Sequence, residues 1–185
     1  MAYNGCKSVS VTAINAKCDP SVGGIKEIYL IATEDVTSVE IATENNADEL
    51  ITAITLAESK KFQKWQFRPN TSSYTSTRAG DLATGNSTVT TDVSLQFSKA
   101  DAGKRMAIQS MINGGCVAIV KDMYGNYILL GYGDGRNEVF ITDAVMQSGT
   151  ANTDLSGFTL TFEEVAQEFP HFIDPEKVDI AALLA

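Results

Sequence analysis

The chain has 185 residues, of which 44% are hydrophobic and 20% charged, a globular composition that predicts one structural domain over residues 1–185. Its 23 acidic residues outnumber the 14 lysines and arginines, giving a net charge of -9, which disfavours nonspecific binding to nucleic acid phosphates. No apolar run approaches the roughly 20 residues of a membrane helix, and no secretory signal is recognisable at the start, so we expect a cytoplasmic protein without a membrane partner.

The first third of the chain predicts four β-strands. Lys7 to Ala16 and Ile25 to Thr33 are rich in Val, Ile, Tyr and Thr, and a segment dense in turn residues separates them. Val36 to Ala42 and Leu50 to Leu56 are further strand candidates. The Ala, Leu, Glu and Lys content of Ala47 to Lys61 would also fit a helix, and strands are the preferred interpretation there.

A polar stretch follows a short aromatic run. The run, Lys61 to Phe67, contains Phe62, Trp65 and Phe67, which is typical of packing in a core or an interface. From Arg68 to Ser87 the residues are mostly Pro, Asn, Thr, Ser and Gly, which predicts a loop of about twenty residues. Because long loops in compact domains tend to be functional, we predict a long assembly loop at 68–87. A flexible surface insertion is the alternative.

The clearest strand covers Val89 to Phe97, because apolar and polar residues alternate along it with the period that buries one face of a sheet. The predicted buried face consists of Val89, Thr91, Val93, Leu95 and Phe97. Ser98 and Asp101 then resemble a capping box, and an apolar helical stripe continues up to Gly114. One flanking α-helix is therefore predicted at about residues 99–113.

The second half of the chain predicts a hairpin, two more strands and a terminal arm. Cys116 to Lys121 and Tyr127 to Gly131 flank a Gly-Asn turn, while Glu138 to Val145 and Phe158 to Val165 complete the sheet. A C-terminal arm, residues 174–185, begins with the helix-start signal Asp-Pro and contains four large apolar residues, namely Val178, Ile180, Leu183 and Leu184. These side chains must pack on the same subunit or on a neighbour.

No residue pattern points to catalysis, so we predict no enzyme activity and no catalytic, cofactor-binding or metal-binding residue. His171 is the only histidine, which leaves a Ser-His-Asp system without support and excludes a multi-histidine metal site. Gly131 to Gly135 looks like a phosphate loop, but Arg136 stands where the dinucleotide fingerprint has its third glycine. A hairpin turn is the preferred interpretation. No Asp or Glu pair has a glycosidase or EF-hand context.

Three segments carry a resemblance to a known family: VSLQFSK, GGCVAIVKDMYGNYILLGYGDG and SGTANTDLSGFTLTFEEVAQEFPHFI. Together they resemble structural proteins of tailed phages and prophages of Bacteroides-type bacteria, of the tail-tube or neck-ring type, over roughly residues 60–173. The resemblance implies a β-sandwich or small barrel with one flanking helix, a long loop and terminal arms. It also implies a homo-oligomeric ring, as a hexamer, whose inner wall is a continuous sheet.

The function implied by this resemblance is that of a virion structural protein, assembled in the host cytoplasm, in the tail tube or head-to-tail connector. DNA would pass through the ring without specific binding, since a negative lumen repels its backbone. Adjacent tail or connector proteins would be the other partners. The alternative is a β-sandwich module that binds a glycan or protein ligand, with Trp65, Tyr74 and Tyr132 as a stacking platform.

Overall fold

The computed structural model describes residues 22–42, 49–68, 70–81, 85–133, 136–151 and 153–185. The strand predicted at Lys7 to Ala16 lies outside these ranges. The structure confirms a mainly β protein, with 53% of the described residues in strands and 11% in helices. The strands are β1 (Ile25–Ala32), β2 (Val36–Ile41), β3 (Ile51–Leu56), β4 (Gln63–Trp65), β5 (Ser73–Asp81), β6 (Asn86–Ser98), β7 (Cys116–Asp122), β8 (Tyr127–Leu130), β9 (Phe140–Gln147), β10 (Gly157–Ala166) and β11 (His171–Ile173), and the α-helices are α1 (Ala102–Met111) and α2 (Ile180–Leu183).

The strands form two sheets with a hydrophobic core between them. One sheet has seven strands in the order β2-β3-β11-β8-β7-β1-β4, and the other has four in the order β5-β6-β10-β9. Neighbouring strands are antiparallel except for β3 and β11, which are parallel. The core between the two sheets, called the first core here, combines alternate residues of β1, β6, β7, β8 and β10 with Ile108 of α1. The predicted β-sandwich with one flanking helix is confirmed.

Strand β6 has the two faces that its sequence predicts. Its buried face is at most 5% exposed and consists of Val89, Thr91, Val93, Leu95 and Phe97. The residues between them are half-buried or exposed. The buried hydroxyl of Thr91 is satisfied by a 2.8 Å hydrogen bond with Ser76 Oγ on β5, as a polar group in a core requires.

The seven-stranded sheet is rolled rather than flat. β1 and β2 stand five positions apart in the strand order, which corresponds to about 24 Å in a flat sheet. Only the 3-10 turn Thr33–Asp35 connects them, and four residue steps span at most about 14 Å. The β2–β3 end of the sheet must therefore curl back towards β1. A second core fills the space that the rolled sheet encloses, on the side of β1, β7 and β8 that faces away from the first core.

The C-terminal segment closes this second core. Its large apolar side chains all contribute to it: Val178, Ile180, Leu183 and Leu184. Phe62 N donates to Leu183 O at 2.9 Å, and Ala185 N donates to Phe62 O at 3.0 Å. Helix α2 forms only near the end of the segment, not from Asp174 as predicted. The prediction of a terminal arm at 174–185 is corrected: the rolled sheet offers an apolar surface, and the segment packs on its own chain.

Eleven of the twenty residues of the loop predicted at 68–87 lie instead in a β-hairpin, nine in β5 and two at the start of β6. β5 pairs with β6 along its whole length, from Ser73 opposite Ser94 to Asp81 opposite Asn86. The prediction failed because β5 has one large apolar residue, Tyr74, which packs against the first core, and so lacks apolar alternation. Threonine and serine form strands well where they are paired across a sheet, and β6 supplies that pairing.

Helix α1 is shorter than predicted and has a different N-cap. Asp101 rather than Ser98 caps it, and the Asp101 side chain accepts a 2.9 Å hydrogen bond from Lys104 N. Lys99 has a φ of +62°, a left-handed conformation that does not propagate a right-handed helix. The chain therefore turns at Lys99, and the helix begins only at Ala102.

The hairpin turn predicted at Gly131 to Gly135 is wrong, because β8 ends at Leu130 and the next strand, β9, belongs to the other sheet. Residues 134 and 135 lie outside the described ranges. Gly131 has a φ of +85°, and a Cβ there would stand 2.6 Å from Cys116 O and 2.8 Å from Val139 Cγ2. Glycine is required by both the backbone conformation and the space.

Gly131→Ala should lower the free energy of unfolding by about 2–4 kcal/mol, through backbone strain and the displaced neighbours. Urea unfolding measures this loss. Gly114→Ala is the matched control, because no atom lies within 4 Å of its added Cβ and its φ is not positive. Equal stability of the two variants would show that the Gly131 site relaxes without cost.

Candidate assembly surface

The sequence candidates for chemistry do not converge in the structure. His171 lies on β11, and its Nε2 is 2.9 Å from Glu168 Oε1, three residues earlier in the chain. Within the described ranges, no three His, Cys, Asp or Glu side chains are placed to hold a metal ion. No helix in those ranges has the length and apolar character needed to cross a membrane.

The three aromatic residues predicted as an alternative stacking platform lie in two different cores. Trp65 meets Phe97 and Phe162 edge-on, with ring centroids 5.7 and 6.1 Å apart. Tyr74 packs against the same first core, whereas Tyr132 packs against the second core, which lies on the other side of the seven-stranded sheet. The fold therefore does not assemble them into one platform.

The outward side of the four-stranded sheet, here called the polar face, is rich in hydroxyl groups and carboxylates. Cross-strand pairing places on it Thr75, Thr77, Thr90, Asp92, Ser94, Gln96, Asp143, Thr159, Thr161 and Glu163, with Phe140, Val145 and Val165 as its larger apolar residues. Arg78 is the only lysine or arginine in these four strands, and it pairs with Val89 on the opposite side. The polar face therefore carries negative charge without a basic residue of its own strands.

Two carboxylates on the polar face stand directly opposite each other. Glu163 of β10 pairs with Asp92 of β6, and Asp143 of β9 lies one position further along the face, opposite Thr161. Like charges directly across a strand pair destabilise a sheet. The acidic character of this face is thus a cost to the isolated subunit.

Both edge strands of the four-stranded sheet are long, and β9 is weakly protected against pairing with a further strand. β9 has eight residues and β5 has nine, and among the described residues each pairs along its length with one strand only. β9 contains no Lys, Arg or Pro, the residues that commonly block an edge. Its side chains are exposed except for half-buried Ile141, with Val145 and Met146 at 40% and 64% exposure. Such an edge favours pairing with a further strand.

β5 and β9 run in opposite directions, because the sheet is antiparallel and has an even number of strands. A second sheet placed with its β5 against β9 continues the antiparallel pattern and keeps its polar face on the same side. This head-to-tail contact uses two different edges, so it can be repeated and closes into a ring when the rotation allows.

The β5–β6 hairpin extends beyond the rest of its sheet. β10 ends its pairing with β6 at Val89, but β5 and β6 remain paired from Ala79 opposite Thr88 to Asp81 opposite Asn86. These three further pairs project by about 10 Å. Because a two-stranded ribbon is only marginally stable in water, we expect the projection to be stabilised by a neighbour.

Comparison with known proteins does not assign the chain to a family. No protein-family model, no curated protein and no solved structure matches it. The resemblance to tail-tube and neck-ring proteins therefore stays a prediction.

Proposed function

We propose that this chain is a non-enzymatic structural subunit that assembles with copies of itself into a closed ring, through pairing of β9 in one subunit with β5 in the next. The ring would belong to a phage tail tube or head-to-tail connector in the virion. The observation that carries this proposal is that, among the described strands, two long edges of opposite direction flank one acidic face. The resemblance to tail-tube subunits, which implies a hexamer, points to the same arrangement.

A ring of six copies has dimensions suited to DNA. Six four-stranded sheets contribute roughly 24 strands, which at about 4.8 Å per strand and a tilt of about 40° give a wall with a backbone radius of about 24 Å. Side chains narrow this opening by several ångströms. The remaining lumen admits a DNA duplex.

The polar face would line that lumen. Asp92, Asp143 and Glu163 are repeated in every subunit, and their combined negative potential opposes close approach of the phosphate backbone. Neutralisation of phosphates by basic side chains is the main source of nonspecific affinity for DNA. The four strands place no basic residue on the polar face. DNA would therefore slide through without specific binding, and the like-charge pair of Asp92 and Glu163 would serve that purpose.

The projecting β5–β6 hairpin would contact the next ring or an adjacent tail or connector protein. Strands of a closed wall run along its axis with a tilt, so an extension of two strands reaches beyond one rim of the ring. The hairpin would thus take the role that the sequence predicts for an assembly loop at 68–87.

Negative-stain electron microscopy of the purified protein, together with light scattering, tests the proposal. We expect annular particles with a central opening and a mass that is a multiple of the 19.8 kDa subunit. A monomer at every concentration tested would contradict the proposal. A dimer that grows no further would also contradict it, because like edges would then pair about a twofold axis and leave no ring.

A further inference from the structure

A buried charged pair lies where the chain passes from the seven-stranded sheet to the four-stranded sheet. This passage, residues 131–133 and 136–139, is called the crossover here. Glu164 stands on the core side of β10, in the same row as Leu160 and Phe162. Its side chain is 0% exposed, and the side chain of its partner Arg136 is 3% exposed.

Glu164 and Arg136 connect the crossover to two other parts of the chain. Glu164 Oε1 accepts a 2.7 Å hydrogen bond from Gly131 N, where the crossover begins, and a 3.4 Å hydrogen bond from Arg136 Nη1. Arg136 Nη2 donates to Phe169 O at 2.6 Å and lies 3.8 Å from Glu168 Oε1. The pair therefore ties the crossover to β10 and to the segment that follows β10.

The crossover leads directly into β9. Val139 is fully buried and exchanges two 2.9 Å backbone hydrogen bonds with Cys116, and Asn137 N donates to Val165 O at 2.9 Å. From Phe140 onward, β10 is the one described strand that pairs with β9, across one bulge. A slip of one residue turns every side chain of a strand to the opposite face, so the start of β9 has to be positioned accurately.

The charged pair is a poor source of net stability. Burial raises the pKa of Glu164 against the opposing effects of the Gly131 N–H and the Arg136 charge. Glu164 Oε2 has no hydrogen-bond partner among the described residues. Apolar side chains of similar volume often match or exceed the stability of a buried ion pair. They cannot reproduce its directional bonds to Gly131 N and Phe169 O.

We propose that the Arg136–Glu164 pair is a latch that positions the crossover and thereby sets the register of β9. The pair fixes where the crossover lies and adds little to the free energy of unfolding of the subunit. With it in place, β9 presents its free edge in the register that a neighbouring β5 requires. The claim that the latch matters for ring assembly rests on the proposed function. The claim that it positions β9 does not.

Hydrogen exchange tests the latch at a dilution at which light scattering shows single subunits. In Glu164→Gln, we expect the amides of residues 136–147 to exchange about tenfold faster or more, while those of β1 keep their protection. Glu40→Gln, which removes an exposed carboxylate on β2, is the matched control and should leave both regions unchanged. Unchanged exchange in Glu164→Gln, or equal acceleration in β1, would overturn the latch.

The double variant Arg136→Met with Glu164→Leu distinguishes an effect on the position of the crossover from an effect on the melting temperature. We expect it to melt at or above the temperature of Glu164→Gln, while exchange in residues 136–147 stays fast. Recovery of full protection in the double variant would mean that packing alone positions the crossover, and the latch would be wrong. Normal rings from the fast-exchanging variants would overturn only the connection to assembly. Absence of rings from the unmodified protein would count against the proposed function and leave the exchange result intact.

Discussion

A chain that ends at Ile173 should fail to fold, or should melt about 10–25 °C below the full-length protein. The deletion removes Val178 and Ile180, which are 6% and 8% exposed, and uncovers Phe62, which is 0% exposed. Each large aliphatic side chain contributes about 1.5–3 kcal/mol when buried, so the total loss is about 4–7 kcal/mol once Phe62 is included. Whole domains have only about 5–15 kcal/mol of stability, which makes this loss decisive.

Thermal unfolding followed by circular dichroism measures the effect. Val178→Ala combined with Ile180→Ala should reproduce much of the loss without shortening the chain. Lys177→Ala, at an exposed position in the same segment, should stay within about 0.5 kcal/mol of the unmodified protein. A truncated chain with the full-length melting temperature would show that residues 174–185 are a terminal arm and not a necessary part of the second core.

Met146→Lys should abolish ring formation and leave the fold of the subunit intact. Met146 lies on β9 and is 64% exposed, so a lysine there is solvated in the free subunit. Edge pairing with a neighbour would bury its charge, at about 2 kcal/mol or more per interface, which is at least about thirtyfold in each association constant. Because the same contact recurs at every interface of a ring, the losses multiply.

Light scattering and electron microscopy of the variant check this expectation, with the melting temperature as the measure of folding. Met106→Lys is the matched control, because Met106 is 68% exposed on α1 and receives the same charge on another surface. We expect rings from Met106→Lys and single subunits from Met146→Lys. Rings from both variants would show that β9 is not the interface, and loss of rings in both would show that added charge acts regardless of position.

Elements with a strong local pattern could be predicted from the amino-acid sequence. The alternation in β6 predicts its buried face, the turn residues between β7 and β8 predict their hairpin, and the apolar stripe predicts α1. The aromatic run also packs as predicted, with Phe62 in the second core and Trp65 and Phe67 against the first. Each of these signals arises within a few residues, because the period of a strand or helix and the chemistry of a turn are local properties.

Features that depend on a distant partner became visible only in the folded chain. β5 is polar and carries no apolar alternation, so its strand exists because β6 pairs with it and becomes visible only in the sheet. Residues 174–185 could pack on their own chain or on a neighbour, and the rolled sheet selects their own chain. Glu164 lies at a core position, but its partner Arg136 comes from another part of the chain. Free edges likewise appear only once the strand order is known, because a single strand's sequence does not specify how many neighbours it has.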